Sequence, residues 1–408
     1  MRDIKEKRGI TLIALAVTIV VILILAGVTI DVTLGENGIL NKSKEAADRM
    51  NNLVKEDEAE LNKLLNELNE TMDSNWNSNI EIPDPEPDLP TGIEDVTDIQ
   101  EETVQVEDEY GNKVTIPKGF GVMEEEGTTV PEGIVIQDND GNQFVWIPVG
   151  RVYKDNTGTN YSDIQLGRYI FDGNGTPTLI QVAYTEENPE NYKQIIDLRN
   201  RWQEYTSREN PDGENGLNAI AKNLEGFVDS ARNNGGYYLG RYEASYGNGS
   251  SVIDYKPSSK VSTSTSFNTS TVGSLWNNVT QIDAAKISRN MYNNDSSVGV
   301  ESDLVNSYAW DTAIVFIQEM GNTNYANKKD GNGYLRNTGK TGDEVCNIND
   351  MASNCYEWTT EYSKVPNYDT YRGGVYYSKL FETAAYRDAN LRPNFTDAYC
   401  FRVLLYIV

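Results

Sequence analysis

The sequence predicts an α+β protein, in which a long N-terminal helix is followed by a loop-rich domain of short strands and helices. Three observations predict this class. Residues 10–30 form an uncharged apolar run, and apolar residues recur at helical spacing over residues 41–76. From Thr103 onward, turn-forming residues separate short alternating segments. The chain has 408 residues, of which 38% are hydrophobic, and this is enough for at least one large core.

The apolar run at residues 10–30 has the length of a membrane-spanning helix. At 1.5 Å per residue it extends roughly 30 Å, the thickness of the hydrocarbon core of a bilayer. Basic residues precede it, so this end is expected to stay cytoplasmic. Apolar residues three and four positions apart then predict an amphipathic continuation. We therefore assign residues 10–79 to one long helix, with the membrane as the partner of residues 10–30.

An acidic, proline-rich segment follows this predicted helix. Residues 82–90 contain four prolines, which disfavour helix and give an extended, stiff spacer. We assign residues 80–102 to a linker. No boundary is evident after Thr103, so residues 103–408 are predicted to form one domain.

Two related segments, residues 108–120 and 138–150, predict β-hairpins. Each has an aspartate, then Gly-Asn, alternating residues and Ile-Pro. The second begins with Asp138-Asn139-Asp140-Gly141-Asn142, which resembles the start of a calcium loop but lacks the glutamate that closes an EF-hand. The turn interpretation is therefore favoured. Periodic apolar residues also predict helices at residues 307–320 and 191–202.

The composition excludes several classes of function. The formal net charge is −27, so binding to nucleic acid is not expected. Histidine is absent, which excludes histidine-dependent nucleophilic sites and histidine-ligated zinc. The three cysteines, Cys346, Cys355 and Cys400, form no C-x-x-C pair and allow at most one internal disulfide. Their state stays open: Cys346 and Cys355 are either joined in a disulfide or simply buried.

The first family resemblance lies at the N-terminus. Lys7-Arg8-Gly9 precedes Ile10-Thr11-Leu12-Ile13 and the apolar run, and this pattern resembles type IV pilins and their relatives. The resemblance implies that residues 1–9 are a leader, removed by a prepilin peptidase between Gly9 and Ile10. It also implies pilin-like subunits as partners, and a place at the cell surface, membrane-anchored or in a filament. Together with the single apolar segment, this favours a bacterium with one membrane. Pilins usually carry glutamate where this chain has Ala14, so polymerisation is left open, and a plain signal anchor is the alternative.

Six segments of the C-terminal domain carry a second resemblance. They are residues 144–148, 236–245, 307–313, 350–359, 371–374 and 401–403. Their order resembles the motif series of the formylglycine-generating enzyme/sulfatase-modifying family, a variant of the C-type lectin fold, and implies that fold here. The family's oxidases place a copper-binding cysteine pair shortly after the R-G-G motif. Residues 375–387 contain no cysteine, so neither copper nor oxidase activity is expected.

The same resemblance implies a structural calcium ion in the E-W-T loop. Carried over residue by residue, Asp350 and Glu357 would supply side-chain oxygens, while Ser353 and Cys355 would supply main-chain carbonyls. Such oxygen ligands suit Ca²⁺. The alternative is that Glu357 pairs with an arginine in the core.

Lectin-fold domains of this kind bind ligands through their C-terminal loops. The residues that the resemblance points to are Trp358, Tyr362, Tyr368, Tyr371, Arg372, Tyr376 and Tyr377. Aromatic residues among small polar ones are typical of binding surfaces, although tyrosines also fill irregular cores. We therefore predict a surface-displayed, non-enzymatic binding protein, an adhesin for protein or glycan ligands. A binding protein diversified by retroelements and a structural minor pilin are the alternatives, and the sequence identifies no ligand.

Overall fold

The computed structural model divides the chain into two compact units, Met1–Pro87 and Asp88–Val408. It describes residues 91–182, 202–203, 221–251, 254–293, 295–363, 368–378, 382–391 and 396–408, all in the second unit. The predicted processing site at Gly9 and Ile10 and the helix assigned to residues 10–79 lie outside these ranges. The helix expected at residues 191–202 also lies outside them, except that Trp202 begins a short strand.

Short strands account for most of the regular structure in these ranges. They are β1 (Val104–Glu107), β2 (Lys113–Ile116), β3 (Phe120–Val122), β4 (Val135–Asp138), β5 (Gln143–Pro148), β6 (Gly150–Tyr153), β7 (Tyr161–Ile164), β8 (Gly167–Phe171), β9 (Pro177–Val182), β10 (Trp202–Gln203), β11 (Gly236–Gly240), β12 (Ser245–Asn248), β13 (Lys256–Ser258), β14 (Val300–Leu304), β15 (Glu344–Val345), β16 (Ile348–Asn349), β17 (Tyr356–Ser363), β18 (Tyr368–Arg372), β19 (Arg387–Leu391), β20 (Tyr399–Phe401) and β21 (Val403–Ile407). The α-helices of the same ranges are α1 (Leu224–Asn233), α2 (Gln281–Asn290) and α3 (Ser307–Glu319).

This content corrects the predicted fold class. The α+β prediction is wrong, because the described residues are mostly strands with three α-helices among them. The expectation of a pilin-like transmembrane helix is corrected as well. Within the described ranges no helix has both the length and the apolar composition needed to cross a bilayer. The longest of the three, α3, has 13 residues, whereas a span needs about 20.

A six-stranded antiparallel sheet forms the centre of the domain, in the order β14-β21-β11-β5-β4-β3. Every residue of β11 and β21 is buried, which fits strands covered on both faces. On one side α1 contacts β11 through Phe227 and Tyr237, whose ring centroids lie 5.2 Å apart. The Tyr237 hydroxyl donates to the carbonyl of Ala309 in α3 at 2.6 Å. The two helices therefore pack against the same central strand.

Helix α3 confirms the helix predicted at residues 307–320. It begins after Asn306, whose side chain accepts a hydrogen bond from the Ala309 amide at 2.9 Å and so satisfies one of the free N–H groups of the first turn. All its residues from Ser307 to Gln318 are buried. A helix that is covered on every side is expected at the centre of a large core.

Both predicted hairpins are present and have the same turn. In β1–β2 the Asp108 carboxylate accepts amide hydrogen bonds from residues 110 and 112, and in β4–β5 the Asp138 carboxylate accepts the equivalent pair from residues 140 and 142. Gly111 and Gly141 have φ angles of +83° and +82°, a conformation that glycine adopts without strain. The second Asp138 oxygen accepts from the Asn142 side chain and the Tyr292 hydroxyl. The segment is therefore a hydrogen-bonded turn.

A second sheet carries the C-terminal motifs. Its order is β10-β17-β18-β19, and β20 adds to β17 as a parallel neighbour. The core also includes residues upstream of Thr103, because Ile93 and Val96 are buried in it. The domain therefore starts within the range that the sequence analysis gave to the linker.

Candidate functional site

The six motif segments meet in one core. Segment 144–148 lies in β5, which pairs with β11 of segment 236–245, and β11 in turn pairs with β21. Two buried ion pairs join the others: Arg402 contacts Glu357, and Arg372 contacts Asp311. The motifs that are far apart in sequence therefore form one structural unit.

Glu357 and Arg402 form a two-pronged ion pair with both side chains buried. The Arg402 Nε donates to Glu357 Oε2 at 3.0 Å, and its Nη2 donates to Oε1 at 2.6 Å. Arg402 also donates to the carbonyls of Gly240 and Asn349 at 2.8 and 2.7 Å. Burial raises the pKa of Glu357, although the Arg402 charge opposes that rise. Glu357 therefore pairs with an arginine in the core, which was the alternative to its implied role as a calcium ligand.

The residues implied as calcium ligands do not fit a calcium ion. Both oxygens of Glu357 face the Arg402 guanidinium, which would repel a cation. The Asp350 carboxylate accepts hydrogen bonds from Thr338 Oγ1 at 2.7 Å, the Gly339 amide at 2.7 Å and Thr341 Oγ1 at 2.5 Å. Ser353 and Cys355 are buried beside them. The Arg402 cation at Glu357, together with the two donors that fill Asp350 Oδ2, therefore disfavours a calcium ion here.

A second buried network contains three arginines and two carboxylates. Arg387 reaches Asp311 Oδ2 at 2.9 Å and Glu361 Oε2 at 3.0 Å, while Arg372 pairs with Asp311 and Arg168 with Glu361. Burial favours a higher pKa for Asp311, but the charges of Arg372 and Arg387 outweigh it, and the pKa falls below its ordinary value. Arg372, predicted to contact ligand, is thus an internal structural residue.

Two more of the predicted ligand residues lie in the core. Trp358 is buried, donates its indole N–H to the Val279 carbonyl at 2.8 Å, and stacks on Tyr399 at 4.6 Å between centroids. Tyr371 is buried against Tyr356 at 4.4 Å. These side chains stabilise the aromatic core beneath the loops, and they are not available at the surface for a ligand.

The remaining predicted residues lie nearer the surface. Tyr362 belongs to β17, and its side chain lies outside the described atoms; Tyr368 opens β18 and is half-buried. Tyr376 is half-buried and contacts Tyr377 edge to face at 5.0 Å. The Tyr377 side chain is 54% exposed. The loop 375–378 therefore presents the Tyr377 ring to solvent, with Tyr376 half-buried beside it.

A second loop, residues 331–336, lies against the first and was missed by the sequence analysis. The Gly333 amide donates to the Tyr376 carbonyl at 2.7 Å. Tyr334 in this loop is 57% exposed, and its hydroxyl accepts a hydrogen bond from Arg336 Nη2 at 2.6 Å. We call loops 331–336 and 375–378 together the two-loop surface. The sequence does contain a signal for this loop, because the turn-forming residues 330–333 are followed directly by a tyrosine.

Asn354 connects both loops to the interior. Its side-chain Oδ1 accepts from the Arg336 amide at 2.9 Å, and its carbonyl accepts from the Tyr376 amide at 2.8 Å. Its Nδ2 donates to buried Glu243 at 2.5 Å. The loops also approach closely, because a Cβ added to Gly331 would lie 1.8 Å from the Ser378 carbonyl oxygen. The two-loop surface therefore rests on a fixed base.

Of the two states left open for Cys346 and Cys355, a disulfide and simple burial, the structure shows no disulfide. All three are free thiols, and the sulfur near Cys355 is that of Cys400. Burial raises the pKa of Cys355 to about 12, and it also raises the pKa of Cys400. Cys346 is only half-buried and lies between β15 and β16.

Two clefts of 420 and 400 Å³ lie beside the turn of the β4–β5 hairpin. Both are lined by Asp140 and Asp295; Lys256 and Lys260 also line the first, and Lys118 lines the second. Neither is lined by a residue of the two-loop surface or of the buried ion pairs. Their mixed charge selects no particular chemistry.

Comparisons of the chain with protein-family models, with curated proteins and with solved structures find no match. The resemblance to the formylglycine-generating enzyme family therefore stays a prediction that rests on the six segments.

Proposed function

We propose that residues 91–408 form a non-enzymatic binding domain, an adhesin that uses the two-loop surface to bind a protein or glycan ligand at the cell surface. The observation that carries the proposal is the position of Tyr334 and Tyr377. Six large apolar side chains are exposed in the described ranges, and two of them lie on these adjacent loops. Exposed tyrosines combine apolar area with a hydroxyl group at low conformational cost.

The arrangement of the loops also supports binding. Main-chain hydrogen bonds from Gly333 to Tyr376 and from Tyr376 to Asn354 fix both loops before any ligand arrives. Less conformational entropy is then lost on association, which favours affinity. Arg336 adds a cation beside Tyr334, at 4.8 Å from its ring centroid. A ligand with an apolar or sugar face and an acidic group would match this pairing.

Oxidase chemistry of the family's kind is not part of this proposal. The loop 375–378 presents Tyr376, Tyr377 and Ser378 in the stretch where the family's oxidases carry reactive thiols. Cys355 and Cys400 are fully buried, and their raised pKa values disfavour reactive thiolates. The proposal therefore assigns binding alone.

The test uses the full chain and three single variants, Tyr334→Ala, Tyr377→Ala and the control Tyr161→Ala. Tyr161 is 43% exposed but belongs to β7. Binding to immobilised glycans and to intact cells is measured by surface plasmon resonance and flow cytometry. We expect Tyr334→Ala and Tyr377→Ala each to weaken binding about tenfold or more, in the range of interface hot spots, while the control binds like the wild type. Wild-type binding that all three variants retain, or no wild-type binding to any of these surfaces, would refute the proposal.

A further inference from the structure

Three buried side chains bring a carboxylate and two thiols together. Glu243, Cys355 and Cys400 each offer one ligand atom, and these atoms all lie within 4.8 Å of one another. The residues are far apart in sequence: Glu243 follows β11, Cys355 precedes β17, and Cys400 lies in β20. The parallel pairing of β17 with β20 brings the two cysteines together.

The carboxylate of this cluster forms no salt bridge within the described ranges. Glu243 Oε1 accepts from the Cys355 amide at 3.0 Å, and Oε2 accepts from Asn354 Nδ2. Arg402, the buried arginine that attracts Glu243 electrostatically, forms its ion pair with Glu357. Asp350 and Glu357 add further negative charge close to Glu243. Arg402 attracts the buried Glu243 carboxylate without forming an ion pair with it, so a cation bound directly to this carboxylate would lower the cost of its burial further.

We propose that Glu243, Cys355 and Cys400 bind a zinc ion. Thiolate sulfur and carboxylate oxygen are both ordinary zinc ligands. In a tetrahedral zinc site such ligand atoms lie about 3.5–3.8 Å apart. The three atoms here are at most 4.8 Å apart, so they would have to move closer by no more than about 1.3 Å. The main-chain carbonyl of Asp397 borders the cluster, where it accepts hydrogen bonds from Cys355 Sγ at 3.6 Å and from Asn277 Nδ2 at 3.2 Å.

The burial of all three ligands gives the proposed ion a structural role. Cys355 and Cys400 pack with Leu275 in a small apolar cluster separate from the main core, so the ion would join β20 to the start of β17. On binding, each thiol loses its proton to solvent as the metal–sulfur bond forms. This proposal is independent of ligand binding at the two-loop surface.

A disulfide between the same cysteines is the competing arrangement. It would form as the two thiols lose two electrons and two protons to a disulfide oxidant, which would become two thiols. It would leave the Glu243 carboxylate without a directly bound cation, and for this reason the structure favours the metal. Cys346 lies outside the cluster and provides a matched cysteine control.

The test measures zinc in the full chain by elemental analysis, and zinc affinity by competition with a chelating dye. We expect about one zinc ion per wild-type chain, and an affinity loss of at least about 10–100-fold in Cys355→Ser, Cys400→Ser and Glu243→Gln. Cys346→Ser should bind zinc like the wild type. Circular dichroism checks that each variant is folded. Glu243→Gln keeps both thiols, so it separates metal binding from disulfide formation.

Two further measurements keep the proposal falsifiable if a cysteine variant fails to fold. Cobalt bound to wild type and to Cys346→Ser should show the near-ultraviolet absorption of sulfur-to-metal charge transfer. After denaturation with a chelator and no reductant, three alkylated thiols per chain are expected. A count of one thiol would establish the disulfide and overturn the proposal. Equal zinc loss in Cys346→Ser and Cys355→Ser, or no stoichiometric zinc in the wild type, would overturn it too.

Discussion

Replacing Arg402 with methionine should be among the most damaging single changes in the domain. Arg402 is buried and donates to both oxygens of Glu357 and to the carbonyls of Gly240 and Asn349. Methionine fills much of the same volume but donates no hydrogen bond. The substitution leaves Glu357 as a buried carboxylate without its cation.

The size of the effect follows from these contacts. Removing one partner of a buried ion pair costs about 3–5 kcal/mol. The two carbonyls that lose a donor add about 1 kcal/mol each. The free energy of unfolding should therefore fall by about 6 kcal/mol, which is comparable to the whole stability of many domains.

The assay is urea unfolding followed by tryptophan fluorescence, since Trp146, Trp276, Trp310 and Trp358 are all buried. The double variant Arg402→Met with Glu357→Leu removes both charges and should recover at least about 2 kcal/mol relative to Arg402→Met. A single variant that loses less than about 1 kcal/mol would refute the reasoning. A double variant no more stable than the single would refute it as well.

Three further predictions concern stability at low pH, the side chain of Asn354, and the contact between Gly331 and Ser378. The pKa of Asp311 is lowered in the folded protein, so its contribution to stability is present above the unfolded pKa of about 4 and is lost as the pH falls through the lower folded pKa. The free energy of unfolding of Asp311→Asn, measured with urea, should therefore depend less on pH below about pH 4 than that of the wild type. An unchanged pH dependence would contradict this. Glycine at position 354 adopts the φ of +60° without strain, but Asn354→Gly removes the side-chain hydrogen bonds to Arg336 and Glu243. The free energy of unfolding in urea should therefore fall by about 1–3 kcal/mol, and wild-type stability would count against the role of Asn354. Gly331→Ala should weaken ligand binding, because the added methyl group would clash with the Ser378 carbonyl. The control Gly173→Ala should bind like the wild type, because no atom lies within 4 Å of the added methyl group. Equal binding by both variants would show that the loops adjust freely.

The sequence predicted the features that depend on neighbouring residues. The aspartate and Gly-Asn of each hairpin turn lie within five positions, and the apolar spacing of α3 is continuous, so both could be recognised locally. The start of the domain was missed because the residues that pack into the core there, Ile93 and Val96, lie within an acidic segment.

The site was predicted only in part, for a physical reason. The sequence shows that tyrosines and a tryptophan occur in the C-terminal segment. It does not show which face of β17 or β18 each side chain occupies, and therefore does not show whether it is buried. Trp358 and Tyr371 therefore proved to be buried, whereas Tyr377 is exposed. The contact between Cys355 and Cys400 depends on a parallel strand pairing across more than 40 residues, which spacing alone does not reveal.

The position of β21 in the central sheet has a consequence for biosynthesis. This strand lies between β11 and β14, yet both of those neighbours are translated well before it. Until the ribosome has added Ile407, two apolar strand edges in the middle of the nascent domain have no partner. Unpaired edges of this kind promote association with other chains. The central sheet is therefore expected to close only after β21 has left the ribosome, and the domain without β21 is expected to associate with other chains more readily than the finished domain.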